Sequence, residues 1–150
     1  MSFDNVKERI KKHEGYRLEP YYCTEGHLTG GYGHKILDGE EVPTDEEGWS
    51  KLFDNDFEKA KVGAESLLNV ETTNPQAFGI IIEMCYQMGT TGVSKFKNCL
   101  KAIKDQNYAV AATEMLDSRW AKQTPNRASE LALEMIRASG FSPLTSLIFF

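Results

Sequence analysis

The chain has 150 residues, 41% of them hydrophobic and 26% charged, which fits one globular domain or one domain of two lobes, long enough to need neither disulfide nor metal. Its 22 acidic and 17 basic side chains give a formal net charge of −5. That excludes a general nucleic-acid binder, which needs a basic field to displace phosphate counterions. Cys23, Cys85 and Cys99 are odd in number and show no metal-knuckle spacing, so free thiols from an intracellular place of synthesis are expected, with no metal and no cofactor.

In chain order, the first element predicted is a helix over 3–13, where Phe3, Val6, Ile10 and His13 recur at spacings of three and four. Gly15 stops it in the left-handed conformation. From Tyr16 to about Ile36 the period shortens and Gly, Thr and Tyr become frequent, which predicts a small antiparallel sheet with Thr24-Glu25-Gly26 as a turn. Thr44, with Glu47 at capping-box spacing, opens a long helix reaching Leu68, with Leu52, Phe53, Phe57, Ala60 and Ala64 on its apolar face. Asn74-Pro75 and Thr124-Pro125 each start a further helix, a cap followed by proline. Helical stretches near 93–104 and 107–118 lie between them. The run Leu147-Ile148-Phe149-Phe150 is too short to cross a bilayer and is expected to pack with the last helix. The fold class is therefore α+β, with the sheet confined to the first third.

The chemically suggestive residues lie in the first forty. Glu14 falls on the last turn of the first helix, where the negative end of the dipole favours a carboxyl group that keeps its proton. Such a group can donate that proton to a leaving glycosidic oxygen. The glycines at 30, 31 and 33 are expected to leave strand backbone exposed to a flat sugar ring. No Gly-Lys-Ser/Thr follows them, so they are no phosphate loop.

The stretches Glu14-Gly15-Tyr16-Arg17-Leu18, Thr24-Glu25-Gly26 and Thr29-Gly30-Gly31-Tyr32-Gly33-His34 resemble the active-site segment of the phage-type (T-even) lysozymes, glycoside hydrolase family 24. The family signature is a Glu, an Asp or Cys nine positions on, and a Thr six beyond; Glu14, Cys23 and Thr29 fit it. Gln87-Met88-Gly89 with Thr91-Gly92-Val93, and Ser118-Arg119-Trp120 with Gln123 to Ala128, match as well. The resemblance covers roughly residues 6 to 139, in one order.

The resemblance implies a lysozyme-like fold: an N-terminal lobe (about 14–58) with the sheet, joined by the long helix to an all-helical C-terminal lobe (about 70–150) that also takes the N-terminal helix 3–13. It implies an inverting hydrolase of the β-1,4 bond between N-acetylmuramic acid and N-acetylglucosamine in peptidoglycan. Glu14 is then the general acid, Cys23 replaces the more usual Asp, and Thr29 positions the attacking water. Lys35, Tyr86, Cys99, Glu114 and Arg127 stand at substrate-contact positions, Arg127 approaching the catalytic Glu, with His13 where a second acid is usual. His34 and Asp56 form a structural pair tying sheet to helix. Trp120, Met88 and Cys85 are expected in the core.

A neutral thiol at Cys23 is a poor general base, so a thiolate or thiol-oriented water is expected there. The other readings are a catalytically weakened glycan-binding homologue or virion component, a cysteine-dependent peptidase or amidase using Cys23 with His34, and a lytic transglycosylase. The N-terminus shows no signal peptide. The chain is thus expected to be a monomer made in the host cytoplasm, with no stable membrane insertion, reaching the wall after a holin permeabilises the membrane. The acidic balance sits awkwardly with an anionic wall polymer.

Overall fold

The computed structural model describes residues 2–140, which form eight helices and a three-stranded antiparallel sheet, the α+β architecture expected. The run 147–150 lies outside the described residues. The first helix, α1 (Asp4–Glu14), buries Val6 and Ile10, one turn apart on its apolar stripe. Gly15 closes it by donating its N–H to the Lys11 carbonyl at 2.9 Å. Its φ of 73° is positive as expected, but its ψ of 176° is extended. The chain needs that ψ because it must leave the helix straight into a strand, and only glycine adopts the combination cheaply.

The strands β1 (Arg17–Tyr22), β2 (Leu28–Gly31) and β3 (His34–Lys35) pair in sequence order. The first hairpin turns at the predicted place. The Cys23 N–H donates to the His27 carbonyl and the Gly26 N–H to the Cys23 carbonyl, both at 2.9 Å. Tyr21 opposes Thr29, and Thr29 in turn opposes Lys35.

The long helix α2 (Glu46–Leu67) takes its cap one residue later than predicted. Asp45, not Thr44, accepts from the Gly48 N–H at 2.8 Å. A carboxylate at a helix N-terminus adds its charge to the hydrogen bond, which favours it over a hydroxyl. Trp49, Phe53 and Phe57 are buried on this helix. The chain divides into two compact units between Lys59 and Ala60, within α2. Helix α1 falls on the first side of that division, whereas the resemblance places it with the C-terminal lobe. The Lys7 ammonium lies 5.1 Å from the Phe57 ring centroid, and that of Lys11 lies 5.2 Å and 5.0 Å from those of Tyr32 and Phe53.

The second unit is helical: α3 (Pro75–Met88), α4 (Thr90–Ser94), α5 (Lys97–Lys104), α6 (Tyr108–Leu116), α7 (Arg119–Gln123) and α8 (Pro125–Arg137). Helix α3 is apolar nearly all round and packs on α4 and α8, as a central core helix does. Asn74 caps it as predicted, accepting from Gln76 and Ala77 N–H at 2.8 and 3.2 Å. Thr124 stands at the cap position of α8, ahead of Pro125 as predicted, but makes no side-chain capping bond: its hydroxyl donates back to the Trp120 carbonyl at 3.0 Å. The stretch predicted as one helix over 93–104 is broken, because Phe96 (φ −78°, ψ 57°) leaves the helical region between α4 and α5. No helix among the described residues is long and apolar enough to cross a membrane.

Candidate active site

The sheet has two different faces. A Cβ built on Gly30 would lie 2.3 Å from the Trp49 ring, and one on Gly31 2.6 Å from it. These glycines are buried, so they make room for Trp49 and do not expose backbone to a sugar. The Trp49 indole N–H donates to the Leu18 carbonyl at 2.9 Å, fixing β1 to α2. Gly31, at φ +58°, departs from regular strand geometry, whereas alternation from Gly30 turns Thr29 to the opposite face, and its cross-strand partners Tyr21 and Lys35 with it.

Cys23 follows Tyr21 by two positions and is half-buried at the hairpin turn. Its thiol is held below the ordinary value, chiefly by the His27 backbone N–H pointing at the sulfur. Burial opposes this; the Glu25 N–H and the Thr29 hydroxyl reinforce it, and the Glu25 carboxylate works against it. The Thr29 hydroxyl has a single proton and donates it to the His27 carbonyl at 2.9 Å. Rotating it toward Cys23 would transfer that support to a thiolate, so Cys23 and Thr29 act as a pair. The other two thiols differ: burial pushes Cys85 up to about 11 and Cys99 up to about 12, the latter also through the Glu114 carboxylate.

Glu14 ends α1 and is half-buried. It lies beside the turn between β2 and β3. A Cβ on Gly33, whose φ is +77°, would stand 2.5 Å from the Glu14 Oε1. The third glycine of the run therefore makes room for the carboxyl group itself. Glu14, Cys23 and Thr29 thus lie in one unit, on or beside one small sheet.

His34 is held from both sides. Its Nδ1 lies 2.6 Å from Asp56 Oδ2 and its Nε2 2.9 Å from Glu40 Oε2. The Asp56 hydrogen bond raises the His34 pKa most; burial opposes it, and the charges of Asp56 and Glu40 add to it. Glu40 is lowered despite its burial, because the Leu37 N–H and then His34 hold its charge. A raised histidine contributes stability that is complete below its unfolded value of about 6.5 and is lost as pH rises through the folded value. The unfolding free energy from urea denaturation should accordingly fall by about 1 kcal/mol as pH climbs from about 6 to 9, given the partial solvation. His34→Gln should flatten that decline, and an unchanged slope in the variant would refute the assignment.

In the second unit, Arg127 on α8 donates its Nε–H to Glu83 Oε2 at 3.0 Å, and the Glu83 side chain is 0% exposed. Glu83 was missed in the sequence, although a lone acid inside Phe78-Gly79-Ile80-Ile81-Ile82-Glu83-Met84-Cys85 was the available signal. Glu40 and Trp49 were missed too. Tyr86 on α3 and Glu114 on α6 are half-buried, whereas Cys99 on α5 is 1% exposed, so its thiol does not face solvent. Lys35 is exposed, its Nζ 4.0 Å from Glu25 Oε2. Trp120 is buried as expected, its indole N–H donating to Gln87 Oε1 at 2.8 Å.

Residues 11–137 match the family described as phage lysozyme. The chain is 34% identical to a protein described as probable T4-type lysozyme 2 of Dictyostelium discoideum, over 85% of this chain and 91% of that protein. It is 29% identical to an endolysin of Acyrthosiphon pisum secondary endosymbiont phage 1, over 78% and 77% of the two chains. With the peptidoglycan hydrolase gp36 of Pseudomonas phage phiKMV it shares 27% identity over 87% of this chain and 15% of that protein.

Proposed function

Because the chain belongs to the phage lysozyme family, we propose that it hydrolyses peptidoglycan at the β-1,4 bond between N-acetylmuramic acid and N-acetylglucosamine, with inversion. The observation that carries this reading is the Cys23–Thr29 pair, a sulfur whose charge is favoured by hairpin N–H groups, in the same unit as Glu14. Glu14 gives its proton to the glycosidic oxygen as the bond to the anomeric carbon breaks. A water on the opposite side of the ring attacks that carbon and passes its proton to the Cys23 thiolate. The Thr29 hydroxyl, donating to the His27 carbonyl, keeps lone pairs to orient that water. The charge on sulfur does what a second carboxylate does in the usual scheme, which favours an active enzyme over a glycan-binding homologue.

The endolysin and hydrolase names of phage relatives support a role in host lysis. In that role the protein is a monomer made in the host cytoplasm, reaching the wall once a holin has opened the membrane. Tyr86, Glu114, Arg127 and Lys35 serve as substrate contacts in this reading; buried Cys99 would act only through its neighbours.

Muropeptide mass spectrometry tests the reaction, since hydrolysis adds a water to each cut and anhydro ends would mean transglycosylation instead. For the sulfur, iodoacetamide near neutral pH should label Cys23 well ahead of Cys85 and Cys99, with activity falling in step. Cys23→Asp should keep activity under the same treatment and move the acid limb of the pH–rate profile downward. An unmoved limb would reject the thiolate.

A further inference from the structure

The hairpin face that holds Thr29 also carries two cations, Lys35 by strand register and Arg17, beyond a register shift in β1, by its contact with the Tyr21 ring. Tyr21, Thr29 and Lys35 stand directly opposite one another across β1, β2 and β3. They form one row on one face, about 10 Å from end to end at the usual strand spacing. At the β1 end the exposed Arg17 sets its guanidinium carbon over the Tyr21 ring, 4.4 Å from the centroid. A guanidinium held on an aromatic ring by cation–π attraction still has N–H donors to offer, and its fork takes a carboxylate by two parallel hydrogen bonds. At the β3 end, Lys35 is tied only at 4.0 Å to Glu25, an exposed contact that holds a side chain weakly.

We propose that Arg17, held on Tyr21, is a subsite for carboxylates borne on the glycan strand, with Lys35 as a second cation across the row. This rests on Cys23 and Thr29 being the reacting pair, which puts the sugar strand on this face. It also accounts for how a chain of net charge −5 engages an anionic polymer. The acidic excess is concentrated in the stretch 37–59, with Asp38, Glu40, Glu41 and Asp45 to Glu47, while the first 36 residues are nearly balanced. The local field on the hairpin face is then set by Arg17 and Lys35.

The test is co-sedimentation with insoluble peptidoglycan, native or with its carboxylates converted to amides by carbodiimide and ammonia. The Glu14→Gln protein is used so that the polymer survives, and reducing-end release by the unaltered protein is followed in parallel. Amidation should weaken binding about tenfold, and Arg17→Gln in the same background should lose most of that difference. Tyr21→Leu, which removes the platform and keeps the charge, gives a second variant should Arg17→Gln fold poorly, and it should lose part of the difference. Equal binding to both polymers, or a full difference retained in Arg17→Gln and Tyr21→Leu, overturns the subsite. If carboxylates matter for binding while no reducing ends are released, the subsite stands and the hydrolase reading falls.

Discussion

Replacing Glu14 by Gln should cut glycan hydrolysis by about 10²–10⁴-fold while leaving the fold in place. The amide keeps the size and hydrogen-bonding reach of the acid and cannot release a proton to the leaving oxygen. Glutamine fits because the room beside position 14 is made by Gly33, where even one added carbon would meet the carboxyl oxygen at 2.5 Å. Glu14 follows Ile10 by one turn on the same side of α1 and is only half-buried, so an amide of the same shape leaves the packing of Val6 and Ile10 in place. The measurement is reducing-end release from purified peptidoglycan beside a thermal unfolding curve. A variant with the same melting behaviour and near-normal rate would mean that the proton comes from elsewhere.

The second large effect concerns stability. Glu83→Ala should destabilise the protein by about 3–5 kcal/mol, because it leaves the Arg127 guanidinium in a buried place without this carboxylate. The Glu83 side chain is 0% exposed and that of Arg127 11%, so water cannot readily take over the lost interaction. At about 2–4 °C per kcal/mol for a chain of this size, the melting temperature should fall by about 10 °C. The double variant Glu83→Leu, Arg127→Leu should recover much of the loss, since an apolar pair avoids the desolvation cost altogether. Equilibrium denaturation of the single and double variants decides it. A loss below about 1 kcal/mol in Glu83→Ala would show that the pair contributes little beyond a surface contact.

The same pair marks a limit of what can be read from the chain. The resemblance points Arg127 toward the catalytic Glu, with His13 in place of a second acid. One partner that the structure gives Arg127 is Glu83, 44 residues away on α3. Nothing local at Arg127 announces it, because the pairing follows from α3 and α8 packing together. Trp49 is a like case. The three glycines of β2 and the turn after it were visible, but what they make room for was not, since the indole arrives from α2 and the carboxyl group from α1. The cap of α2 shows a finer failure: Thr44 and Asp45 are both good caps, and the entry direction of the chain selects the second.

By itself the sequence determined the order of elements and the candidates for the reacting residues. Apolar spacing, the Asn74-Pro75 cap, the hairpin turn and the Glu14, Cys23, Thr29 interval are all short-range features, set by backbone sterics and by neighbours a few residues apart. Only the tertiary structure decided which side chains stand in contact: Trp49 against Gly30 and Gly31, Glu14 against Gly33, and Glu83 beside Arg127. Those pairings depend on how separate helices and strands are brought together, and burial, not sequence distance, sets their strength.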